Sequence, residues 1–130
     1  MMEKIIVSVD LPVKNDVLFH AWLDSAEHSA FTGSEAVIDP CVGGSFSAWE
    51  GYIWGKTLEM ESPTRIVQSW RTTEFSDADS DSNLEVLLEP TSKGTRLTIH
   101  HTGIPDGQGD MYREGWEEYY FRPMLEYFGE

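Results

Sequence analysis

The sequence predicts an α+β fold in which a strongly curved antiparallel sheet of about six or seven strands wraps around one long C-terminal helix. Three observations predict it. From Glu35 to Thr102 strand patterns follow one another with no helical pattern between them, as in an antiparallel meander. Two short helical stretches separate the first strand from the rest. The last element, Asp110 to Phe128, is the one long helical pattern. At about 100° per residue, Tyr119, Tyr112, Pro123, Trp116, Tyr127, Tyr120 and Met124 fall in a single arc. Phe128, Phe121 and Leu125 widen it past half the circumference, leaving Glu118, Arg122 and Glu126 as the polar face. A helix this apolar needs a sheet to cover it.

Taken in order, Lys4–Asp10 is a β-branched run closed by Leu11-Pro12. Asn15 or Asp16 is placed to cap a helix with Val17, Leu18, Ala21 and Trp22 on one face. Ser25 opens a second helical turn through Ala30, ended by Thr32-Gly33-Ser34. Ala36–Asp39 is a short strand stopped by Pro40, and Cys41 to Gly44 is a turn. Ser45–Glu50, Tyr52–Met60 and Arg65–Thr73 read as strands, with Ser62-Pro63-Thr64 between the last two. Ser76–Ser82 is a polar tip. Leu84–Leu88 and Thr95–Thr102 form a hairpin turning at Thr91-Ser92-Lys93-Gly94. Pro123 has no N–H for the Tyr119 carbonyl, and an interior proline costs roughly 3 kcal/mol. A kink or break near Tyr119–Pro123 is therefore predicted, with Trp116 and Tyr120 against the sheet and Leu125–Phe128 closing one end.

The chain of 130 residues has a single-domain length, spanning 1–130. Its net charge of −14 and pI near 4.5 argue against binding to DNA, RNA or an anionic membrane surface, where Lys and Arg must neutralise phosphates. Cys41 stands alone, so an intrachain disulfide is excluded and a reducing compartment is favoured. The opening residues lack the apolar core of a signal peptide, and no apolar run approaches the ~20 residues of a membrane span. A cytoplasmic protein without membrane insertion, a monomer or homodimer, is expected.

Strand parity supplies candidate wall residues for the space between sheet and helix. Phe46 and Ala48 share one face; Tyr52, Trp54, Leu58 and Met60 another; Ile66, Gln68 and Trp70 a third; Leu97, Ile99 and His101 a fourth. With Trp22, Trp116 and Tyr120 they enclose either a packed core or a partly open apolar pocket in which Gln68 or His101 orients a ligand. Five Trp are a large apolar payload for either purpose. Arg113 and Glu117 lie four residues apart inside the apolar arc and are spaced to pair, overhanging solvent at the sheet's edge or gating a pocket mouth. Asp77, Asp79 and Asp81 imitate the start of a calcium loop, but Ser82 and Leu88 occupy the positions that need Gly and Glu. The four His form no cluster of metal-ligand spacing, and no nucleophile elbow, P-loop or dinucleotide fingerprint is present. No catalytic residue, cofactor or metal is expected; for catalysis, His101 and the Arg113–Glu117 pair are the only nominees.

One set of motifs carries a resemblance. Gly115-Trp-Glu-Glu-Tyr-Tyr-Phe121, with Tyr127-Phe-Gly129, resembles the C-terminal domain of the activators of the heat-shock-protein-ninety chaperone ATPase. Phe31-Thr-Gly33, Gly43-Gly-Ser-Phe46, Gly51 to Gly55, Pro63, Ser69-Trp-Arg71 and Thr102-Gly-Ile-Pro105 stand upstream in that family's order. The resemblance covers the chain from about Ile5 to its end. It implies a helix-grip fold of the START-like, birch-pollen-allergen type. It also implies two partners: a chaperone whose ATPase is stimulated in a stress response, or an apolar small molecule held in the grip. Some members of the wider superfamily are polyketide cyclases or hydrolases. A non-enzymatic protein binding an apolar ligand or a chaperone partner through the sheet–helix cleft is the expectation.

Overall fold

Alternation decides which side of each strand meets the helix. In β1 (Glu3–Leu11) Ile5, Val7 and Leu11 are buried while Lys4, Ile6 and Ser8 face outward. The same period buries Ile66, Gln68, Trp70 and Thr72 of β5 (Arg65–Thr72). It buries Leu84, Val86 and Leu88 of β6 (Ser82–Thr91), and Leu97, Ile99 and His101 of β7 (Gly94–Ile104). The computed structural model describes residues 2–129. Among them these strands join β2 (Val37–Ile38), β3 (Ser45–Ala48) and β4 (Ile53–Glu61) in one seven-stranded antiparallel sheet, ordered β1-β7-β6-β5-β4-β3-β2. The predicted α+β helix-grip architecture is the observed one.

Because β1 pairs with β7, the chain must travel from one sheet edge to the other before β2. Helices α1 (Asn15–Leu23) and α2 (Ser25–Thr32) make that journey. Neither Asn15 nor Asp16 caps α1. Lys14 holds the cap position without a side-chain bond, and the Asn15 amide reaches the Leu88 carbonyl instead. Asp24 caps α2 through the Glu27 N–H at 2.9 Å, and Gly33 ends it at φ 78. The hydroxyls of Ser25 and Ser29 accept from the Ile38 and Ala36 N–H groups, which pins the two-residue β2 to α2.

β4 carries the main departure from expectation. Thr57 pairs with Gln68 but Glu59 pairs with Val67, so a bulge at Leu58 reverses the parity of the strand. Ile53 and Thr57 face inward before it, and Met60, opposite Ile66, faces inward after it. Trp54, predicted on the same inner face as Met60, is therefore on the outer face and 39% exposed. β3 stops at Ala48 because Trp49 and Glu50 take left-handed backbones, φ 53 and φ 56.

The C-terminal helix runs as α3 (Gly109–Gly115), a π-helical segment Trp116–Phe121, and α4 (Arg122–Phe128). It packs on β1 and α2. Of the kink or break predicted near Tyr119–Pro123, the structure has no break but a departure from α-helical geometry over Trp116–Phe121. The backbone stays helical through Phe121 (φ −65, ψ −44) and Arg122 (φ −63, ψ −51). The ladder widens instead: the Arg122 N–H bonds to the Glu117 carbonyl, five residues back. The residue that lacks an N–H, Pro123, falls just after that wider turn, so the helix need not divide.

Gly55 of β4 has no room for a side chain. A Cβ there would overlap the Ser69 carbonyl oxygen and come within 2.9 Å of the Phe46 ring. Gly55→Ala is expected to destabilise the fold by about 1–3 kcal/mol, as overpacking does. Urea unfolding monitored by circular dichroism checks this; an unchanged midpoint would contradict the register given for β3, β4 and β5.

Candidate functional site

The aromatic side chains of the helix bring polar atoms into the core, and each has an acceptor waiting. Trp116 Nε1 donates to His101 Nδ1 at 3.2 Å. An indole nitrogen only donates, so His101 must accept at Nδ1 and carry its proton on Nε2. That proton goes to Ser82 Oγ at 2.9 Å, and the serine hydroxyl donates to the Trp70 carbonyl at 2.6 Å. His28 has the opposite tautomer. Its Nδ1 lies 2.9 Å from the Trp22 carbonyl, which only accepts, so Nε2 is left to accept from the Tyr120 hydroxyl, also at 2.9 Å. Trp22 Nε1 donates to Gln68 Oε1, and Gln68 Nε2 to Thr57 Oγ1, each at 3.2 Å. Burial drives both imidazoles toward neutrality: His101 falls to about 3 and His28 to about 4, the latter despite its bond to the Trp22 carbonyl.

Beyond this packed centre the sheet and helix part. A hollow of about 300 Å³ opens at one end. The turn between β3 and β4 supplies one wall with Trp49 and Tyr52, joined by Ile53 at the start of β4. The helix supplies the opposite wall with Met111, Tyr112, Gly115, Trp116, Tyr119 and Tyr120, and Trp70 completes the lining. Trp49 stands edge-on to Tyr119 with ring centroids 5.6 Å apart. Tyr112 is fixed: Thr72 Oγ1 lies 2.7 Å from its hydroxyl, which donates to Gln108 Oε1 at 2.7 Å. Burial pushes the Tyr112 phenol up to about 12. Every lining side chain is aromatic or apolar, apart from Gly115, which leaves room.

Of the residues predicted as walls, Tyr52, Trp70, Trp116 and Tyr120 line the hollow. Trp22, Phe46, Gln68, Ile99 and His101 are buried in the packed centre, and Met60 is partly buried against it. Trp54 lies outside the grip. Arg113 pairs with Asp110 at 2.8 Å rather than with Glu117, and both Arg113 and Glu117 are exposed, so they form no gate to this hollow. Sequence reasoning missed Trp49, Ile53, Met111, Tyr112, Gly115 and Tyr119 as lining residues, although Tyr112 and Tyr119 were placed on the helix's apolar arc. A further signal was available, since Met111, Gly115 and Tyr119 form one i, i+4 row. The acidic tip at Ser76–Ser82 is built around a cation. Arg71 donates to Asp81 Oδ1 and to the carbonyls of Asp79 and Ser76 at 2.8–3.0 Å. Among the described residues no group of three or more His, Cys, Asp or Glu is arranged to hold a metal, and no helix is long and apolar enough to cross a membrane.

Comparison with known proteins agrees with this geometry. The family described as Activator of Hsp90 ATPase homolog 1-like protein matches residues 12–129, and the chain belongs to that family. Activator of 90 kDa heat shock protein ATPase homolog 1 of Homo sapiens is 25% identical over 134 residues, covering 95% of this chain and 39% of that protein. An uncharacterized protein of Schizosaccharomyces pombe, C1711.08, is 27% identical over 112 residues, covering 86% of this chain and 33% of that one. The chain thus spans between a third and two fifths of the length of these relatives. Among solved structures, PFC0360w, an Hsp90 activator from Plasmodium falciparum, superposes with a TM-score of 0.83 at 27% identity, covering 99% of this chain and 96% of that one. CalU16 from Micromonospora echinospora shares the fold at a TM-score of 0.79 and 24% identity, covering 98% and 76%.

The two buried imidazoles make stability depend on pH. Their folded values lie below the ordinary 6.5, so the unfolded chain takes up protons that the folded chain refuses. Their stabilising contribution is complete above about pH 6.5 and is lost as pH falls toward about 4 for His28 and about 3 for His101. Unfolding free energy measured between pH 6.5 and 5, above the ordinary carboxylate range, is expected to fall with decreasing pH. The slope should be shallower in His101→Gln; equal slopes would show that His101 is not neutral in the fold.

Proposed function

We propose that this member of the activator family binds a small apolar molecule in the hollow between the β3–β4 turn and the C-terminal helix. The observation that carries the reading is the lining. Aromatic rings from two elements face each other across about 300 Å³, the lower end of the range for small-molecule sites. Filling such a space removes apolar surface from water on both partners, at roughly 25 cal/mol per Å². The packed centre beneath it is fully hydrogen-bonded and offers a rigid floor, which lowers the ordering cost of binding.

Naphthalene is a suitable probe, being apolar and no larger than the hollow. Titration of the full chain with naphthalene is expected to change Trp fluorescence and to shift the amide resonances of Trp49, Gly115 and Trp116. Gly115→Leu supplies the steric control. A Cβ at Gly115 meets nothing closer than the Tyr119 ring at 4.0 Å, and the larger side chain projects into the hollow. Leucine is also the better helix former by about 1 kcal/mol. The variant is expected to fold and to lose naphthalene binding; a folded Gly115→Leu that binds as well as the native chain would exclude this site.

A second reading, co-chaperone action, is favoured by the relatives themselves, which are named as activators of the 90 kDa heat-shock-protein ATPase. It predicts that the chain raises the ATPase rate of a chaperone of that type. An unchanged rate, with no heat of binding by calorimetry at high concentration, would remove this reading.

A further inference from the structure

Tyr119 is the one tyrosine of the C-terminal helix whose hydroxyl has no partner among the described residues. Those of Tyr112, Tyr120 and Tyr127 bond to Gln108, His28 and Glu27. The Tyr119 ring is 60% exposed, yet its place is set from two sides. On the helix it is the nearest group to the space left by Gly115, 4.0 Å from where a Cβ would stand. Across the hollow it meets Trp49 of the β3–β4 turn edge-on, with centroids 5.6 Å apart, its one ring contact among the described residues. Tyr119 thus bridges the two walls at the mouth, beside the gap that Gly115 leaves.

The rings behind it are fixed. Trp70 meets Tyr112 at 5.0 Å and 84° and Trp116 at 5.7 Å and 38°, and Trp116 lies 4.7 Å from Tyr120. All four are buried, and hydrogen bonds hold Tyr112, Trp116 and Tyr120 in place. Seven of the ten lining residues are aromatic, although aliphatic side chains would bury apolar area as well. The hollow therefore has a rigid aromatic floor and one unfastened ring at its mouth.

We infer that the hollow selects flat aromatic molecules over saturated ones of the same skeleton, and that Tyr119 is the residue that sets this preference, its ring closing over the bound plane. This rests on the proposed apolar site and names the class of ligand that the site prefers. Apolar area alone does not separate the two classes. An aromatic plane carries a negative face and a positive edge, so each lining ring offers it a stacked or edge-on arrangement, with centroids about 4.5–7 Å apart, that adds to the gain from area. A saturated ring has no such charge pattern, and its pucker makes it thicker. Tyr119 suits the closing role because turning it breaks no hydrogen bond, whereas turning Tyr112, Trp116 or Tyr120 breaks one.

The test titrates the full chain with naphthalene and with tetralin, following amide shifts. Tetralin has the same skeleton with one ring saturated and is driven from water at least as strongly, so an advantage for naphthalene must arise in the site. Naphthalene is expected to bind about fivefold more tightly, and its ring current to move the ring-proton resonances of Tyr119. Tyr119→Phe is expected to keep that preference and Tyr119→Leu to reduce it to within about twofold. If both hydrocarbons bind the native chain equally, ring selection is refuted and the apolar site stands. If naphthalene leaves the Tyr119 ring resonances unmoved, or Tyr119→Leu keeps the full preference, the role of Tyr119 is refuted. If neither binds, ring selection and the apolar site both fall. Affinities and ring shifts of the native chain decide the matter even if Tyr119→Leu does not fold.

Discussion

Two protons on the C-terminal helix, the indole N–H of Trp116 and the hydroxyl of Tyr120, must find acceptors inside an aromatic core, and the grip depends on the neutral imidazoles that supply them. His101 reaches the first from β7 and His28 the second from α2. Each imidazole hands its own remaining proton onward, His101 to Ser82 and His28 to the Trp22 carbonyl. The helix is therefore tied to the sheet on one side and to the α1–α2 pair on the other. Burial makes these ties effective and also demands them, because an unmet indole or phenol proton in such a core costs about 1–3 kcal/mol. The same burial keeps both histidines neutral. The interior is thus a set of satisfied donors and acceptors embedded in stacked rings, with little freedom to rearrange.

The wide turn in the helix follows from the same requirement. At about 100° per residue, each four-residue step along an α-helix drifts by about 40°. Tyr112, Trp116, Tyr120 and Met124 are all buried, and along an ideal helix three such steps would carry the last of them well away from the first. The π-helical segment from Trp116 to Phe121 winds more loosely and turns part of that drift back toward the sheet. It also absorbs Pro123, whose missing N–H would leave a gap in a regular ladder. A proline that reads as a helix breaker in isolation is accommodated because the packing already calls for a loosened turn one step before it.

This explains why the fold was legible in the sequence and the site only in part. The apolar arc of Asp110–Phe128 and the cadence of short strands are properties of whole segments, and tertiary packing amplifies them. The inward faces of β5 and β7 were likewise readable, because Ile66, Gln68 and Trp70, and Leu97, Ile99 and His101, are buried at alternate positions. Trp54 was misplaced because one extra residue at Leu58 flips parity, and nothing in Gly55-Lys-Thr-Leu-Glu marks which residue bulges. Trp49 was hidden because a left-handed backbone is read from glycine or asparagine, and neither occupies that position. Arg113 had two carboxylates within a helical turn, and spacing alone does not rank Asp110 against Glu117. The structure chooses the one in the first turn of α3.

Charge then narrows what the hollow admits. The net charge of −14 comes from 23 acidic residues against nine basic ones. All five arginines, Arg65, Arg71, Arg96, Arg113 and Arg122, are already paired with carboxylates. The field outside the molecule is therefore negative, and it disfavours an anionic ligand before contact is made. Inside, the lining carries no cation to offset a buried negative charge. A cationic ligand fares better at a distance but would lose its hydration against aromatic walls with no carboxylate among them, where ring faces return only a part of that loss. For the proposed ligand, long-range field and local lining agree on a neutral molecule.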